Sequence, residues 1–185
     1  MSESPGQHDH RHVSPYSTGE KIRRACWAMV QASLFRWSPR PMRRWRAFLL
    51  NCFGASIHPS CHIVRTARVE CPWNLSMGGN SCLGDSAHAY CLGAVTIGAR
   101  VTVSQNAHLC AGSHDYNDPD MPLLRPKITI GDDAWIAADA FVGPGVVVGE
   151  GTILAARGVA VKDLDPWTIY GGNPARSIRP RQKPA

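Results

Sequence analysis

The side chain in this 185-residue chain best placed to do chemistry is His114. It opens the string His114-Asp115-Tyr116-Asn117-Asp118-Pro119-Asp120, rich in acids, amides and turn formers. An imidazole with an ordinary pKa near ~6.5 can take up a proton and return it at neutral pH. Position alone leaves two readings open. A histidine at the base of a loop either acts on a substrate or hydrogen-bonds the backbone. Other reactive groups are scattered. His88, His108 and His114 are candidates for a three-histidine zinc site, which requires all three to converge. His108 and His114 are six residues apart, a spacing that puts them on adjacent faces of a coil. His8, His10 and His12 stand with Asp9 in a polar, aperiodic stretch read as a flexible tail over 1–17. The seven cysteines are odd in number and form no CxxC pair. They read as reduced, mostly packed thiols of a cytosolic protein.

What must position His114 is a repeat. From residue 57 aliphatics recur every six positions: Ile57, Ile63, Val69 and Leu75, then Met77, Leu83, Ala89 and Val95, then Ile97, Val103 and Leu109. Two-residue slips separate these blocks. The phase returns as Ile130, Ile136, Val142, Val148, Leu154 and Ala160. The fourth residue after most of these aliphatics is small or β-branched, as in Ala134, Ala140, Val146, Thr152, Gly158, Val101, Ala107 and Ser113. Six residues make one short strand and one corner. Three such units close a triangular turn of 18 residues, and the turns stack with aliphatics inward. An α-helix would show a 3.6-residue period instead. Low charge (18%) with 17 glycines and 14 prolines agrees with many corners.

Between Leu109 and Ile130 the period fails. Asp115 to Lys127 contains three prolines and cannot form a six-residue corner. A long loop extruded from a regular coil is commonly functional. His114 sits at its base, just before an inward position, so its side chain is expected to face outward.

The net charge of +6 is concentrated in one segment. Residues 21–50 hold eight basic residues and no acidic one, whereas the remainder holds 12 basic and 14 acidic. No nucleic-acid partner is expected. This segment reads as one or two short helices broken by Ser38-Pro39-Arg40-Pro41, with Ile22, Cys26, Met29 and Val30 at helical spacing. Trp27, Phe35, Trp37, Trp45 and Phe48 interleave with the arginines. Two readings stand: a helical cap with a solvated basic face, or a segment lying on an anionic membrane. No apolar stretch approaches the ~20 residues of a membrane span. The N-terminus lacks the apolar core of a secretory signal, so a cytoplasmic protein is expected, with peripheral contact at the inner membrane face under the second reading. The domain reading is a tail at 1–17, a basic helical segment at 18–56, the coil at 57–170 with its loop at 115–127, and a basic C-terminal tail at 171–185.

The repeat IGDDAW IAADAF VGPGVV VGEGTI resembles the hexapeptide-repeat acyltransferases. Parallel crossovers are normally right-handed; this resemblance implies the exception, a left-handed parallel β-helix. The segment from Gly112 to Gly131, the GPGV turn and the closing GGNPAR resemble the maltose and galactoside O-acetyltransferases. They are closer still to the colanic-acid-biosynthesis-type acetyltransferases of the WcaF kind, which share the basic, Trp-containing N-terminal segment with its proline break. The resemblance spans residues 17–180. It implies acetyl-CoA as acyl donor, no metal, a sugar or glycan hydroxyl as acceptor in exopolysaccharide synthesis, and a homotrimer with active sites between subunits. His114 matches the general base. Ala138, Ala156 and Val161 match positions lining the pantetheine arm, and Arg176 and Arg179 match those meeting the CoA phosphates, with Lys162 assisting. Trp135 and Asp85 are candidates for the substrate pocket. Arg157 stands where many relatives carry Gly, and Val161 where many carry Thr. Other readings remain: an N-acetyltransferase on an amino sugar, a zinc hydratase of the γ-carbonic-anhydrase type, or a non-catalytic trimeric scaffold.

Overall fold

Strands of two or three residues can persist only if their backbone groups find partners one full turn of chain away. The computed structural model describes residues 14–183 and shows this arrangement. Short strands sort into three sheets, parallel throughout the stacked coils. The first face holds Ser56–Ile57, Leu75–Met77, Val95–Ile97, Ile128–Ile130 and Val147–Val148. On the second lie His62–Ile63, Cys82–Leu83, Thr102–Val103, Trp135–Ile136, Ile153–Leu154 and Thr168–Gly171. The third holds Arg68–Val69, His88–Tyr90, His108–Cys110, Phe141–Val142 and Val159–Ala160. The fold is an all-β, left-handed parallel solenoid with a short N-terminal helical segment.

Each face carries one inward ladder. Ile57, Met77, Ile97, Ile130 and Val148 stack on the first. Ile63, Leu83, Val103, Ile136 and Leu154 stack on the second. Val69, Ala89, Leu109, Val142 and Ala160 stack on the third. All fifteen are buried, and they are the residues the six-residue phase selects. The slips also find their cause. Leu75 and Met77 both point inward from one three-residue strand, so Ser56 pairs with Ser76, twenty residues on. Later turns tighten to eighteen, as Thr129 pairs with Val147. The extra pair of residues sits at the edge joining the third face to the first, hereafter the third edge. The extruded loop leaves from that same edge.

The other corners turn through left-handed backbone. On the first edge Asn80, Arg100 and Asp133 have φ near 60°. On the second edge, joining the second face to the third, Ser86, Asn106, Asp139 and Arg157 do the same. Side chains cost energy there, least for Asn and Asp. Arg157 therefore occupies a left-handed corner that glycine would adopt without cost.

The lower end of the solenoid would expose unpaired strand edges. Helix α1 (Thr18–Val30), a π-helical turn (Gln31–Phe35) and helix α2 (Arg43–Cys52) cover it. Side chains satisfy all three faces. Trp27 Nε1 donates to the Val69 carbonyl (2.6 Å), and Gln31 Oε1 accepts from Val69 N (2.8 Å). Arg46 Nε donates to the Ile63 carbonyl (2.6 Å). Asn51 accepts from Ile57 N (2.8 Å) and donates to Ile57 O (3.1 Å). The segment is therefore a packed cap, but its faces differ from the sequence reading. Trp27, Phe35, Ala47, Leu49 and Leu50 are buried, while Ile22 and Met29 are exposed. Arg46, expected on a solvated face, is 1% exposed. Backbone capping needs outweigh hydropathy at these positions.

The upper end also departs from expectation. Residues 171–185 are not a simple tail: Arg176–Pro180 forms an antiparallel strand on Thr168–Gly171. Arg181 then donates to the carbonyls of Asp133 and Gly151, both at 2.8 Å. His8, His10 and His12 lie outside the described residues. All seven cysteines are free thiols, with Cys26 and Cys52 exposed.

Outside the third face His88 and His108 stack, ring centroids 4.7 Å apart, with Tyr90 and Phe141 edge-on beside them. Burial, then the neighbouring His108 and Arg68, hold His88 down to about 4. The unfolded chain takes up a proton near pH 6.5 that the folded chain resists. The His88 contribution to stability is thus intact above that pH and is lost as pH falls toward 4. Urea midpoints should drop more steeply between pH 6.5 and 4.5 for the wild type than for His88→Phe. Equal slopes would contradict this assignment.

Candidate active site

The third edge carries the loop, and the loop has its own order. Ser113–His114 pairs antiparallel with Leu123–Leu124, so the segment leaves the coil as a hairpin. Ser113, expected as a small inward corner residue, is part of this hairpin instead. Asp115 N donates to Pro122 O (3.1 Å) and Met121 N to Asp118 O (2.9 Å). Asp115 accepts from Asn117 N and Asp118 from Asp120 N, two Asx turns that tighten the tip. The return strand crosses the coil below at Gly93, where a Cβ would lie 2.5 Å from the carbonyls of Arg125 and Pro126. Arg125 also pairs with Glu20 of α1 at 3.2 Å, tying the loop to the cap.

His114 is exposed, as expected. Its Nδ1 lies 2.6 Å from the Met121 carbonyl oxygen. A carbonyl only accepts, so Nδ1 carries the proton and neutral His114 keeps its lone pair on Nε2. Met121 adopts a left-handed φ of 46°, a strain of about 1–3 kcal/mol for a non-glycine residue. The group that orients the imidazole is thus main chain, seven residues ahead. Residue types do not reveal it; only the Asp-x-Asn and Asp-x-Asp spacing hints at a tight tip. Asp115 spends its carboxylate on its own turn.

Other sequence candidates divide between two edges. Val161, Lys162 and Arg176 line one recess of about 290 Å³, together with Ser177 and Asp163. Val161 and Lys162 belong to the third edge, two coils above the His114 hairpin. Arg179 lies further along the closing strand, opposite Ile169. Lys162, Arg176 and Arg179 are exposed and form no ion pair among the described residues. Ala138 and Ala156 lie on the second edge, where Arg157 N donates to Ala138 O (2.9 Å). Asp85 is on that edge two coils lower, accepting from the Thr66 hydroxyl. Trp135 is on the second face, 45% exposed, its Nε1 donating to Ser104 Oγ at 2.9 Å. One chain therefore brings Val161, Lys162 and Arg176 together and keeps Ala138, Ala156, Asp85 and Trp135 away from His114.

The donor set also bears on zinc. His88 and His108 stack with their ring planes nearly parallel, 17° apart, so their in-plane lone pairs run side by side rather than converging. His114 is on the hairpin. Among the described residues no group of three His, Cys, Asp or Glu side chains could hold a metal ion. Sequence reasoning missed a basic recess of about 650 Å³ beside Asp85, lined by Arg40, Arg43, Arg46 and Arg65. These arginines are distant in sequence from Asp85, and only the cap brings them to it.

Comparison with known proteins agrees with this architecture. The family described as bacterial transferase hexapeptide (six repeats) matches residues 127–159. The proposed colanic acid biosynthesis acetyltransferase WcaF of Escherichia coli (strain K12) is 42% identical over 163 residues, 88% of this chain and 90% of that protein. A galactoside acetyltransferase solved in complex with coenzyme A superposes with a TM-score of 0.83 at 21% identity, covering 91% of this chain and 86% of that one. A hexapeptide-repeat acetyltransferase from Vibrio cholerae, solved with acetyl coenzyme A, gives 0.81 at 23%, covering 93% and 94%. The two structural likenesses establish the solenoid; the near full-length identity to WcaF establishes more. This chain belongs to the hexapeptide-repeat acetyltransferase family, alongside the WcaF-type proteins.

Proposed function

We propose that this protein transfers an acetyl group from acetyl-CoA to a sugar hydroxyl during exopolysaccharide synthesis, with His114 as general base. The observation that carries the reading is the Nδ1–Met121 hydrogen bond. It presents Nε2 as the proton acceptor and fixes the ring plane. A hydroxyl is a weak nucleophile until its proton leaves; Nε2 takes that proton and holds it for the departing thiolate. Acetyl-CoA, when bound, supplies the activated acyl carbon. Lys162, Arg176 and Arg179 have uncommitted charge for its phosphates, and the small side chains of Ala138 and Ala156 leave room for a thin arm.

The division of these residues between two edges supports a homotrimer. The His114 edge of one chain would face the Ala138–Ala156 edge of the next, so that each site is completed by a partner. His114→Ala should lower kcat by about 10²–10⁴-fold while leaving acetyl-CoA affinity and the urea midpoint near wild type. A variant with undiminished turnover would remove His114 from the mechanism.

A second reading concerns the cap. Ile22 (60%), Met29 (64%), Leu34 (54%) and Trp37 (79%) are exposed along α1 and the turn that follows, with Arg36 and Arg40 exposed beside Trp37. Apolar anchors flanked by arginines suit an anionic membrane surface. Among the described residues no helix is long and apolar enough to cross a membrane, so this contact would be peripheral, placing the enzyme at the cytoplasmic face. Deleting the segment would uncover the lowest coil, so point substitutions are the cleaner test. Leu34→Ser/Trp37→Ser should abolish cosedimentation with vesicles of phosphatidylglycerol and phosphatidylcholine; unchanged cosedimentation would overturn the reading.

A further inference from the structure

The recess beside Asp85 lies where α2 meets the first two coils. Arg40 and Arg43 reach it from the cap, Arg65 and Thr66 from the second edge of the first coil, and Asp85 from the coil above. Its arginines are unusual: among the described residues Arg40, Arg43, Arg46 and Arg65 form no ion pair, although one carboxylate, Asp85, shares the lining. Arg46 is the extreme case. It is 1% exposed, and its guanidinium donates only to neutral acceptors: the carbonyls of Ile63, Pro39 and Arg40 and the hydroxyl of Ser38, at 2.6–3.0 Å. A buried cation is ordinarily paired, because leaving water costs more than neutral hydrogen bonds return. Here Arg43 and Arg65 stand close enough to repel it further, an influence second only to burial. Helix α2 adds the positive end of its dipole, with no side-chain cap and no acidic residue in its first turn.

Four arginines against one carboxylate around a cavity of about 650 Å³ leave an excess of positive charge that a further anion would offset. The cavity is a pocket of ordinary ligand size rather than an extended stripe. Its single carboxylate, Asp85, is oriented by Thr66 and can accept hydrogen bonds from sugar hydroxyls. Asp85 shares the second edge with Ala138, two coil spacings away, or roughly 10 Å. A sugar joined to a phosphate can bridge that interval.

We infer that this recess binds the phosphate or diphosphate of a phosphorylated sugar acceptor, Arg43 and Arg65 taking the charge and Asp85 the sugar. This inference rests on the acetyltransferase reading for the identity of the ligand as acceptor, but the anion site is testable separately. The specificity then excludes neutral glycosides: without the anion, the cluster gains nothing from the sugar.

The test is calorimetric binding of inorganic pyrophosphate to the full chain, in wild type, Arg43→Gln/Arg65→Gln, and Arg176→Ala/Arg179→Ala. Arg46 is left alone because it caps the first coil. Pyrophosphate should bind the wild type, weaken at least about tenfold in the Arg43/Arg65 variant, and hold its affinity in the Arg176/Arg179 variant. Acetyl-CoA titrated into the Arg43/Arg65 variant should bind as in wild type, which checks both the fold and the donor site. Competition by uridine diphosphate against farnesyl diphosphate then separates a nucleotide-linked from a lipid-linked acceptor; either supports the site. No pyrophosphate binding to wild type, or equal binding by the Arg43/Arg65 variant, overturns it. Loss confined to the Arg176/Arg179 variant overturns it too, assigning the anion to the donor site. Should acetyl-CoA fail to bind any of the proteins while pyrophosphate behaves as expected, the anion site stands and the transferase reading falls.

Discussion

The constraint on which everything else depends is that no coil of this solenoid can satisfy its own backbone. Below the closing antiparallel pair, each strand of the coils is two or three residues long and makes its ladder bonds to the coils above and below. Interior coils are therefore held in register by neighbours, and the aliphatic ladders follow from that register. The two ends need separate solutions. At the top a final antiparallel strand folds back. At the bottom Trp27, Gln31, Arg46 and Asn51 reach one face each, or share one, and pair with Ile57, Ile63 and Val69. The basic N-terminal segment is thus a structural requirement before it is anything else.

Function grows from the same constraint. Corners are the only places where a solenoid can change length without breaking its ladders. The third edge already tolerates two extra residues in the lower coils, and the hairpin bearing His114 emerges there. Because the hairpin is pinned by Met121, by Gly93 beneath it and by the Arg125–Glu20 pair, His114 sits on an ordered support. The second edge carries small residues above, at Ala138 and Ala156, and a cationic recess below. Arg46 links the two themes, since the guanidinium that caps the first coil is also a wall of that recess.

The coil was legible because a six-residue phase leaves its mark on every inward position, from Ile57 to Ala160. The slips were visible as slips; their meaning as lengthened strands needed Leu75 and Met77 to be seen on one strand. His114 was legible as the residue at the break in phase. Its orienting partner was not, because a carbonyl belongs to every residue and only geometry selects Met121. The cap was misread in detail for a related reason. Helical spacing favoured Ile22 and Met29 as the inward face, yet Trp27 and Arg46 go inward because each brings a donor to an unpaired strand edge. Arg176 and Arg179 read as belonging to a tail because GGNPAR signals a turn without showing that the chain returns to pair. The arginine recess was hidden because Arg43 and Asp85 meet only through tertiary packing.

The central proposal is that acetyl-CoA binds this solenoid on its basic closing strand. Calorimetric titration of acetyl-CoA into the purified protein, beside Arg176→Ala/Arg179→Ala, tests it most directly. The account predicts saturable binding to wild type that weakens in the double variant. No binding to a folded wild-type protein at millimolar acetyl-CoA would contradict it and favour a solenoid that serves only as a scaffold.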